Sequence, residues 1–441
     1  MPRSVVYLIY NLLLPVVLVI GFPAFIIKGL RRGGLARHFR QRFGLFRPET
    51  LAPFSDRRPI WIHAVSVGEA FIALKLIDAL LDRNPAEAIV LSTTTTTGYA
   101  VAESRAEGRF TVIHNPVDLP WIVGSVIQKL NPSRLVLIES EVWPNLVRQL
   151  KKKSIPVMLC NARLSPRSER RYRSAKAWIA PVFAQIDKTT VPYEIDVERW
   201  SSIGIQRENI DVTGSIKFDH AAAPTQIEKQ IDDLKNWLLE NECPMEAPIL
   251  LGGSTHPGEE SLLAKIWLQL RQDHPHLQLL LVPRHAERAG SIVTELEALG
   301  IDLIVKKGDF STTNLDSRPR AFLANTTGEL RAWYHIASVV FVGKTFHGEG
   351  GQNPVEPILT GRPVVVGPNT ENFADVVSEL LDAQGITQVE TEEALASTLS
   401  DWLAKPELGL EQATRGAAIM QRHFGAASRN AAIVESLLSN E

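Results

Sequence analysis

The chain is 441 residues long, enough for two globular domains with full cores, and its 49 acidic and 47 basic side chains leave a formal net charge of −2. That balance gives no electrostatic reason to expect a nucleic acid partner. The two cysteines, Cys160 and Cys243, stand in unrelated contexts that match neither a metal spacing nor a disulfide framework, and a reducing compartment fits them best.

The first element departs from globular composition. Val5 to Ile27 carries no charged residue and lies between Arg3 and the basic group Lys28, Arg31 and Arg32. A helix needs about 20 apolar residues to cross a bilayer, and this stretch is long enough. Pro15 and Pro23 would kink it without excluding it. The basic flank, continued by Arg37, Arg40, Arg42 and Arg47, places the chain after residue 28 in the cytoplasm. A signal peptide is the competing reading, but it wants a small-residue cleavage site, whereas the segment ends in Phe-Pro-Ala-Phe-Ile-Ile-Lys. A retained anchor, transmembrane or interfacial, is therefore expected over 1–32. A domain held at a lipid surface would meet lipid-borne substrates in two dimensions. The basic run Leu30 to Phe46 would either favour anionic headgroups or only secure topology.

From Pro59 short apolar runs alternate with amphipathic ones, as in α/β folds with parallel sheets. Strands are expected at Ile60 to Val65, Ala88 to Ser92, Phe110 to His114, Leu135 to Ile138 and Val157 to Leu159, with helices at Glu69 to Leu81 and near Gly98 to Glu107. Each strand ends in polar or small residues, and ligands of open parallel sheets bind beyond those ends. A polar, helical connector falls around Ala223 to Glu242. A second series then runs through strands at Pro248 to Leu251, Leu277 to Val282, Val339 to Val342 and Pro363 to Val366, and helices at Glu259 to Leu270, Ala286 to Leu299 and from Pro354. Lys306 to Ala321 reads as a surface loop. The expected organisation is an acceptor-binding Rossmann-like domain over 33–222, a connector over 223–245 and a second Rossmann-like domain over 246–441, with the active site in a cleft between lobes.

Glu69 ends the segment His63-Ala-Val-Ser-Val-Gly-Glu69 at a strand-to-helix turn. A carboxylate there is commonly just a favourable first-turn charge, yet its place at a strand exit suits a base for an acceptor hydroxyl, with burial lifting its pKa. Glu139 and Glu141 stand at the end of another strand and would share a face if that strand persisted through them. One would bind sugar hydroxyls while the other orders an arginine such as Arg163, or both are capping or solvated groups. Arg163 itself, in Asn161-Ala-Arg163-Leu-Ser165, offers a rigid donor fork to a carboxylate or phosphate.

In the second half, Gly252-Gly-Ser254-Thr255-His256-Pro-Gly-Glu259-Glu260 joins a strand to a helix, offering close approach and free amides to an anion without the lysine of a Walker A loop. Arg284 and His285 follow the next strand and either address a phosphate or sugar acid or simply begin a basic helix. Asn325-Thr-Thr-Gly328-Glu329-Leu330 opens another helix. Gly350-Gly351-Gln-Asn353-Pro-Val-Glu356-Pro357 is the strongest single motif. Its glycines bring amides to a phosphate, Asn353 and Pro354 start a helix pointing at the anion, and Glu356 accepts from a ribose diol; the plain alternative is a glycine-rich turn. Asn372 and Phe373 complete the rim of that pocket. No His, Cys and Asp set has metal spacing, and arginines with helix ends suffice to stabilise a departing monophosphate, so no metal is expected.

These ordered motifs, from the anchor and Arg42-Phe-Gly44 through His63 to Glu69, Thr93 to Gly98, Asn115-Pro-Val-Asp118, Glu139 to Asn145 and on to Gly350 to Pro357 and Asn372-Phe373, resemble the 3-deoxy-D-manno-octulosonic acid (Kdo) transferases of lipopolysaccharide synthesis. The resemblance spans nearly the whole chain. It implies a two-lobed GT-B fold, an inverting mechanism without a cofactor, CMP-Kdo as donor and a tetraacyl lipid A precursor as acceptor at the cytoplasmic face of a bacterial inner membrane. It makes Glu69 the general base, with Glu139 and Glu141 beside it, and puts Arg284, Asn353 and Glu356 on the CMP side.

Three departures stand out. The family usually has Asp at Asn325, Gly-Gly-Ser at Gly343-Lys344-Thr345 and His at Gln352, which makes the donor side of this chain more positive, retuning binding or marking a paralogue with another donor. Competing readings are a UDP-sugar transferase or epimerase of the same fold and a membrane-tethered, non-catalytic sugar-nucleotide sensor.

Overall fold

A computed structural model of the chain describes residues 1–31, 38–164, 166–219, 224–308 and 318–437. It divides into two units, Met1–His220 with His423–Glu441, and Ala221–Arg422.

The first unit holds strands β1 (Ile60–Ala64), β2 (Ile89–Thr93), β3 (Thr111–His114), β4 (Arg134–Ile138), β5 (Val157–Cys160), β6 (Lys188–Val191) and β7 (Ile210–Val212). They form one parallel sheet in the order β3-β2-β1-β4-β5-β6-β7. Every residue of β1, β2, β4 and β5 is buried, as a parallel sheet covered on both faces requires. Alternation in β1 sorts the core: Ile60, Ile62 and Ala64 pack with Ile72, Leu76 and Leu80 of the helix Val67–Arg83, while Trp61 joins Val123, Ile127, Leu146 and Leu150 on the other side. Chain order reverses between β1 and β4. The residues leaving those two strands, Val65 to Glu69 and Glu139 to Glu141, therefore stand at the topological switch point where such sheets bind ligands.

The N-terminal helix runs from Arg3 to Arg31, and its segment Arg3–Gly21, mean hydropathy 2.2, is long and apolar enough to cross a membrane. Its first turns are docked on the first unit. Val6 and Tyr7 are buried against Val182, Tyr10 Oη donates to Asp118 Oδ2 at 2.9 Å, and Asn145 Nδ2 donates to Asn11 Oδ1 at 2.8 Å. Further along, Leu12, Leu13, Val16, Val17, Val19 and Ile20 are exposed. The basic run from Lys28 to Arg37 that carries the orientation argument lies outside the described side chains and residues.

The second unit holds β8 (Ile249–Thr255), β9 (Gln278–Pro283), β10 (Asp302–Val305), β11 (Arg320–Leu323), β12 (Val339–Val342), β13 (Val364–Val366) and β14 (Thr387–Gln388). Its parallel sheet has the order β10-β11-β9-β8-β12-β13-β14. Here the switch point falls between β8 and β12, whose exits carry Ser254 to His256 and Gly343 to Thr345. The expected connector is the helix Pro224–Glu240, which belongs to this unit. Arg320 and Ala321, read from sequence as the end of a surface loop, open β11; residues 309–317 of that loop lie outside the described residues.

The second domain drawn from sequence over 246–441 ends earlier in the structure, because the last helix, Ala426–Ser436, packs on the first unit. Its Ala426, Ala427, Ala431 and Val434 share a core with Ile72 and Ile77. Asn430 Oδ1 accepts from Thr190 Oγ1 at 2.5 Å, and Arg134 Nη1 reaches the carbonyl of Glu435 at 3.0 Å.

Candidate active site

In the first unit, Ser66 caps the helix Val67–Arg83 and Glu69 closes the box. The Ser66 hydroxyl accepts the Glu69 amide at 3.3 Å, and Glu69 reaches back to accept the Val65 amide at 2.7 Å. The first-turn role is thus observed. It does not exhaust the residue, because burial, and then the charges of Glu139 and Glu141, push its carboxyl up to about 7 against the bonds it accepts from the Val65 amide and the Ser66 hydroxyl.

Glu139 has a left-handed backbone, φ 62°, that bends the chain sharply off β4, and its amide is held by the Cys160 carbonyl at 3.0 Å. Burial raises its pKa, while Arg163 and Lys217 draw it back. Glu141 is raised by burial too. Arg163, read from sequence as a neighbour of one of the two glutamates, acts on Glu139 through its charge. Lys217 was missed, since it lies in a short 3-10 turn after β7 with no motif of its own. Ser165, the end of the Arg163 motif, is outside the described residues.

Behind this group runs a buried relay. Trp143 Nε1–H donates to His63 Nε2 at 3.1 Å, and His63 Nδ1 lies 2.9 Å from Ser92 Oγ, which also accepts from Trp61 Nε1 at 2.8 Å. Burial holds His63 down to about 4, so its ring is neutral and able to accept from Trp143. The relay ties the Glu139–Trp143 segment to β1.

In the second unit, two buried glutamates organise the loops. Glu259 accepts the amides of His256 at 2.9 Å, Lys344 at 2.7 Å, Thr345 at 3.0 Å and Phe346 at 3.1 Å. Glu260 accepts from Thr255 Oγ1 at 2.8 Å and from both ends of the Arg288 guanidinium at 2.7 and 3.2 Å. Of the Gly252 to Glu260 amides read from sequence as free for an anion, that of His256 is taken by the chain's own Glu259, and the Thr255 hydroxyl is held by Glu260. The glycine pair serves packing: a Cβ on Gly252 would come 2.6 Å from Leu263 Cδ1, and one on Gly253 2.8 Å from the Tyr334 ring.

Ser254 and Lys344 both have left-handed backbones, φ 53° and 61°, at the switch point. The Lys344 charge lowers the pKa of His256, though burial lowers it more, and Gln352 Nε2 sits 3.3 Å from His256 Nε2. His285 stacks edge-on to His256 at 6.0 Å; it and Arg284 are exposed, and the Arg284 amide donates to the Thr255 carbonyl at 3.0 Å. Two of the residues that mark departures, Lys344 and Gln352, thus gather around His256.

Gly350 and Gly351 have φ of 97° and 66°, which glycine alone adopts freely. The Gly350 carbonyl accepts the Asn372 amide at 3.0 Å, so Asn372 does meet the loop as expected. Asn353 Nδ2 donates to Glu356 Oε1 at 3.1 Å and its Oδ1 accepts the Val355 amide. The helix they open, Val355–Leu359, is only five residues long, too short for the helix-end attraction expected of it. The Gly350 amide already donates to Glu371 at 2.7 Å.

Gly328 and Glu329 stand apart from these contacts. Gly328 is an exposed turn at φ 86°, and Glu329 is held by Lys306 at 2.6 and 2.7 Å and by the Thr326 hydroxyl. Asn325 accepts the Lys307 amide at 2.9 Å and donates to the Lys307 carbonyl at 2.6 Å. Among the described residues no group of three or more His, Cys, Asp or Glu is placed to hold a metal ion.

Comparison with known proteins points the same way. Residues 37–220 match the family model described as 3-deoxy-D-manno-octulosonic-acid transferase (kdotransferase). The folded architecture is shared with a glycosyltransferase from Rickettsia africae, TM-score 0.54 at 14% identity over 88% of this chain and 100% of that one. It is shared too with the UDP-GlcNAc 2-epimerase of Neisseria meningitidis, TM-score 0.53 at 12% identity over 86% and 99%. Two parallel sheets of this kind are those of GT-B-like glycosyltransferases. A 3-deoxy-D-manno-octulosonic acid transferase of Haemophilus influenzae is 32% identical over 396 residues, 88% of each chain. At that identity and coverage the chain belongs to the 3-deoxy-D-manno-octulosonic acid transferase family.

Proposed function

We propose that the chain is an inverting transferase that moves Kdo from CMP-Kdo to a phosphorylated, acylated glucosamine disaccharide, the lipid A precursor. The observation that carries this reading is Glu69, a carboxyl lifted to about 7 at the switch point of the first sheet, with two further glutamates and Arg163 beside it. Glu69 takes the proton of the acceptor hydroxyl as that oxygen attacks the anomeric carbon, and the bond to the CMP phosphate breaks with its electrons leaving on the phosphate. Attack from the face opposite the leaving group inverts the anomeric centre.

Glu139 and Glu141 keep the Glu69 proton affinity high and offer acceptors to sugar hydroxyls, while Arg163 and Lys217 keep that acidic group from excluding an anionic acceptor. On the second unit, Lys344, His256, Arg284 and His285 supply positive charge and donors for the sugar acid and phosphate. Ser254, Gly350, Gly351, Asn353, Glu356 and Asn372 shape the nucleotide side. The apolar segment Arg3–Gly21 supports a place at the cytoplasmic face of the inner membrane, where the acceptor lipid lies.

The test is mass analysis of lipid products after detergent-solubilised protein is incubated with CMP-Kdo and a tetraacyl disaccharide, beside a Glu69→Ala control. Kdo mass increments that vanish in the control are expected. Release of UDP from a UDP-sugar with no Kdo adduct would replace this reading with the related UDP-sugar chemistry.

A further inference from the structure

The first unit contains a cavity of about 520 Å³ that none of the roles above uses, within the roughly 300–1,000 Å³ common for organic ligands. One wall is the N-terminal helix through Leu14 and Leu18; the other is formed by Phe39, Phe43, Val117 and Trp143. The helix is kept at that distance by its docked first turns, with Tyr10 on Asp118 and Asn11 on Asn145. Among the polar residues that line the cavity, Arg42 spends its guanidinium on the Thr94 carbonyl at 2.7 Å and Asp118 is engaged by Tyr10 and the amides of Asn145 and Leu146.

Two polar atoms at the cavity wall remain unpaired. The Asn115 side-chain oxygen and the Thr94 hydroxyl are buried with no hydrogen-bond partner, and Asn115 is only 5% exposed. A buried acceptor left without a donor costs stability unless a ligand supplies one. The pair sits beside the strand-exit group. Thr95, next to Thr94, donates its amide to the Val65 carbonyl at 3.2 Å, and the Val65 amide is the one Glu69 accepts. Trp143 joins the cavity to His63 on β1. At the other end Val17 and Val19 line the cavity while 62% and 74% exposed, so it opens onto the bare apolar face of the helix.

From these observations we infer that the groove between the N-terminal helix and the β3-exit loop holds one acyl chain of the acceptor, with Asn115 and Thr94 pairing to a hydroxyl or amide N–H near the head of that chain. The inference rests on the lipid acceptor proposed above and adds where the lipid is read. A chain seated there has its polar head next to Glu69 and its tail directed to the lipid-facing side of the helix. Acylation then selects the acceptor before the sugar reaches the base.

The experiment fills the groove from the helix side with Leu14→Trp and Leu18→Trp in the full-length protein. Transfer is measured to the acylated disaccharide phosphate and to the same disaccharide stripped of its chains. The variants are expected to raise KM for the acylated acceptor about tenfold, the burial of one to two methylenes, with kcat held and no change on the stripped acceptor. Equal losses on both acceptors, or no loss on the acylated one, would overturn the inference. A second arm is independent of turnover: an N-acylglucosamine with a diazirine in its chain is photolysed on the wild-type protein and the labelled peptides are mapped. Labels at Leu14, Leu18, Val117 or Trp143, competed by unlabelled acylated disaccharide and not by phospholipid, are expected. Labels confined to the outward residues Leu12, Leu13 and Val16 would mean bulk lipid contact only and would refute the groove even if the wild type transferred no sugar at all.

Discussion

Glu259 accepts the amide of Lys344 at 2.7 Å across 85 residues of sequence, and through it the loop after β12 is fastened to the loop after β8. The same carboxylate holds the next two amides. Glu259→Ala would leave these buried donors unpaired. A loss of about 3 kcal/mol or more is expected, since removing one partner of a buried charged network is far costlier than never having built it. Denaturant melts read the stability. A rise in KM for CMP-Kdo under conditions where the variant stays folded would show that the loop position, and not a direct contact, is what Glu259 supplies.

Glu69 carries a pH dependence whose sign comes from its raised pKa. As base it must be ionised, so kcat/KM is expected to rise with pH and level off above an apparent pKa near 7. Glu69→Gln should lower kcat by about 10²–10⁴ and abolish that limb. Stability runs the other way. The folded state holds the proton more tightly than the unfolded chain, so this residue's contribution is present at low pH and is lost as pH rises from the unfolded value of 4.5 through about 7. The thermal midpoint of Glu69→Gln relative to wild type should therefore improve from pH 5 to pH 8. A flat difference would mean that Glu69 is not buried enough to matter.

Asn325→Asp tests the meaning of a departure from the family pattern. The amide both donates to and accepts from the Lys307 backbone, so a carboxylate would keep one bond and face the Lys307 carbonyl with the other oxygen. A stability cost of about 1 kcal/mol is expected, with KM for the donor within about twofold of wild type. A large change in donor KM would return Asn325 to the binding side. Lys344 and Gln352, unlike Asn325, lie around His256, whose pKa is lowered by burial and then by the Lys344 charge.

The contrast between these residues marks what the sequence made legible. Short apolar runs followed by glycine or polar turns locate β1, β4, β8 and β12, and Glu69 and Glu139 are read at the ends of β1 and β4; Lys344 is marked only by its departure from the family pattern, and the strand order that brings these exits to switch points leaves no residue pattern. Strands such as Lys188–Val191 and Thr387–Gln388 carry mostly polar residues and too short a run for any periodicity to show. The roles of Glu259 and Asn325 depend on partners distant in sequence or on backbone atoms, neither of which leaves a residue pattern. The helix Ala426–Ser436 is alanine-rich and amphipathic, and nothing in that pattern says which sheet it covers.

Asp118 joins the N-terminal helix to the body of the first unit. Its oxygens accept the Tyr10 hydroxyl at 2.9 Å and the amides of Asn145 and Leu146, both at 2.9 Å, which open the helix Pro144–Lys152. Burial pushes its carboxyl up to about 7 although all three bonds favour the ionised form. Tyr10→Phe removes one bond and should cost about 1 kcal/mol, whereas Asp118→Ala strands three donors and uncaps a helix, for about 3 kcal/mol. Limited proteolysis separates the two effects. Tyr10→Phe should speed cleavage within residues 12–21 while the first unit melts nearly as wild type, and Asp118→Ala should do both. If neither variant changes cleavage of that segment, Val6 and Tyr7 packed on Val182 hold the helix without the polar clamp.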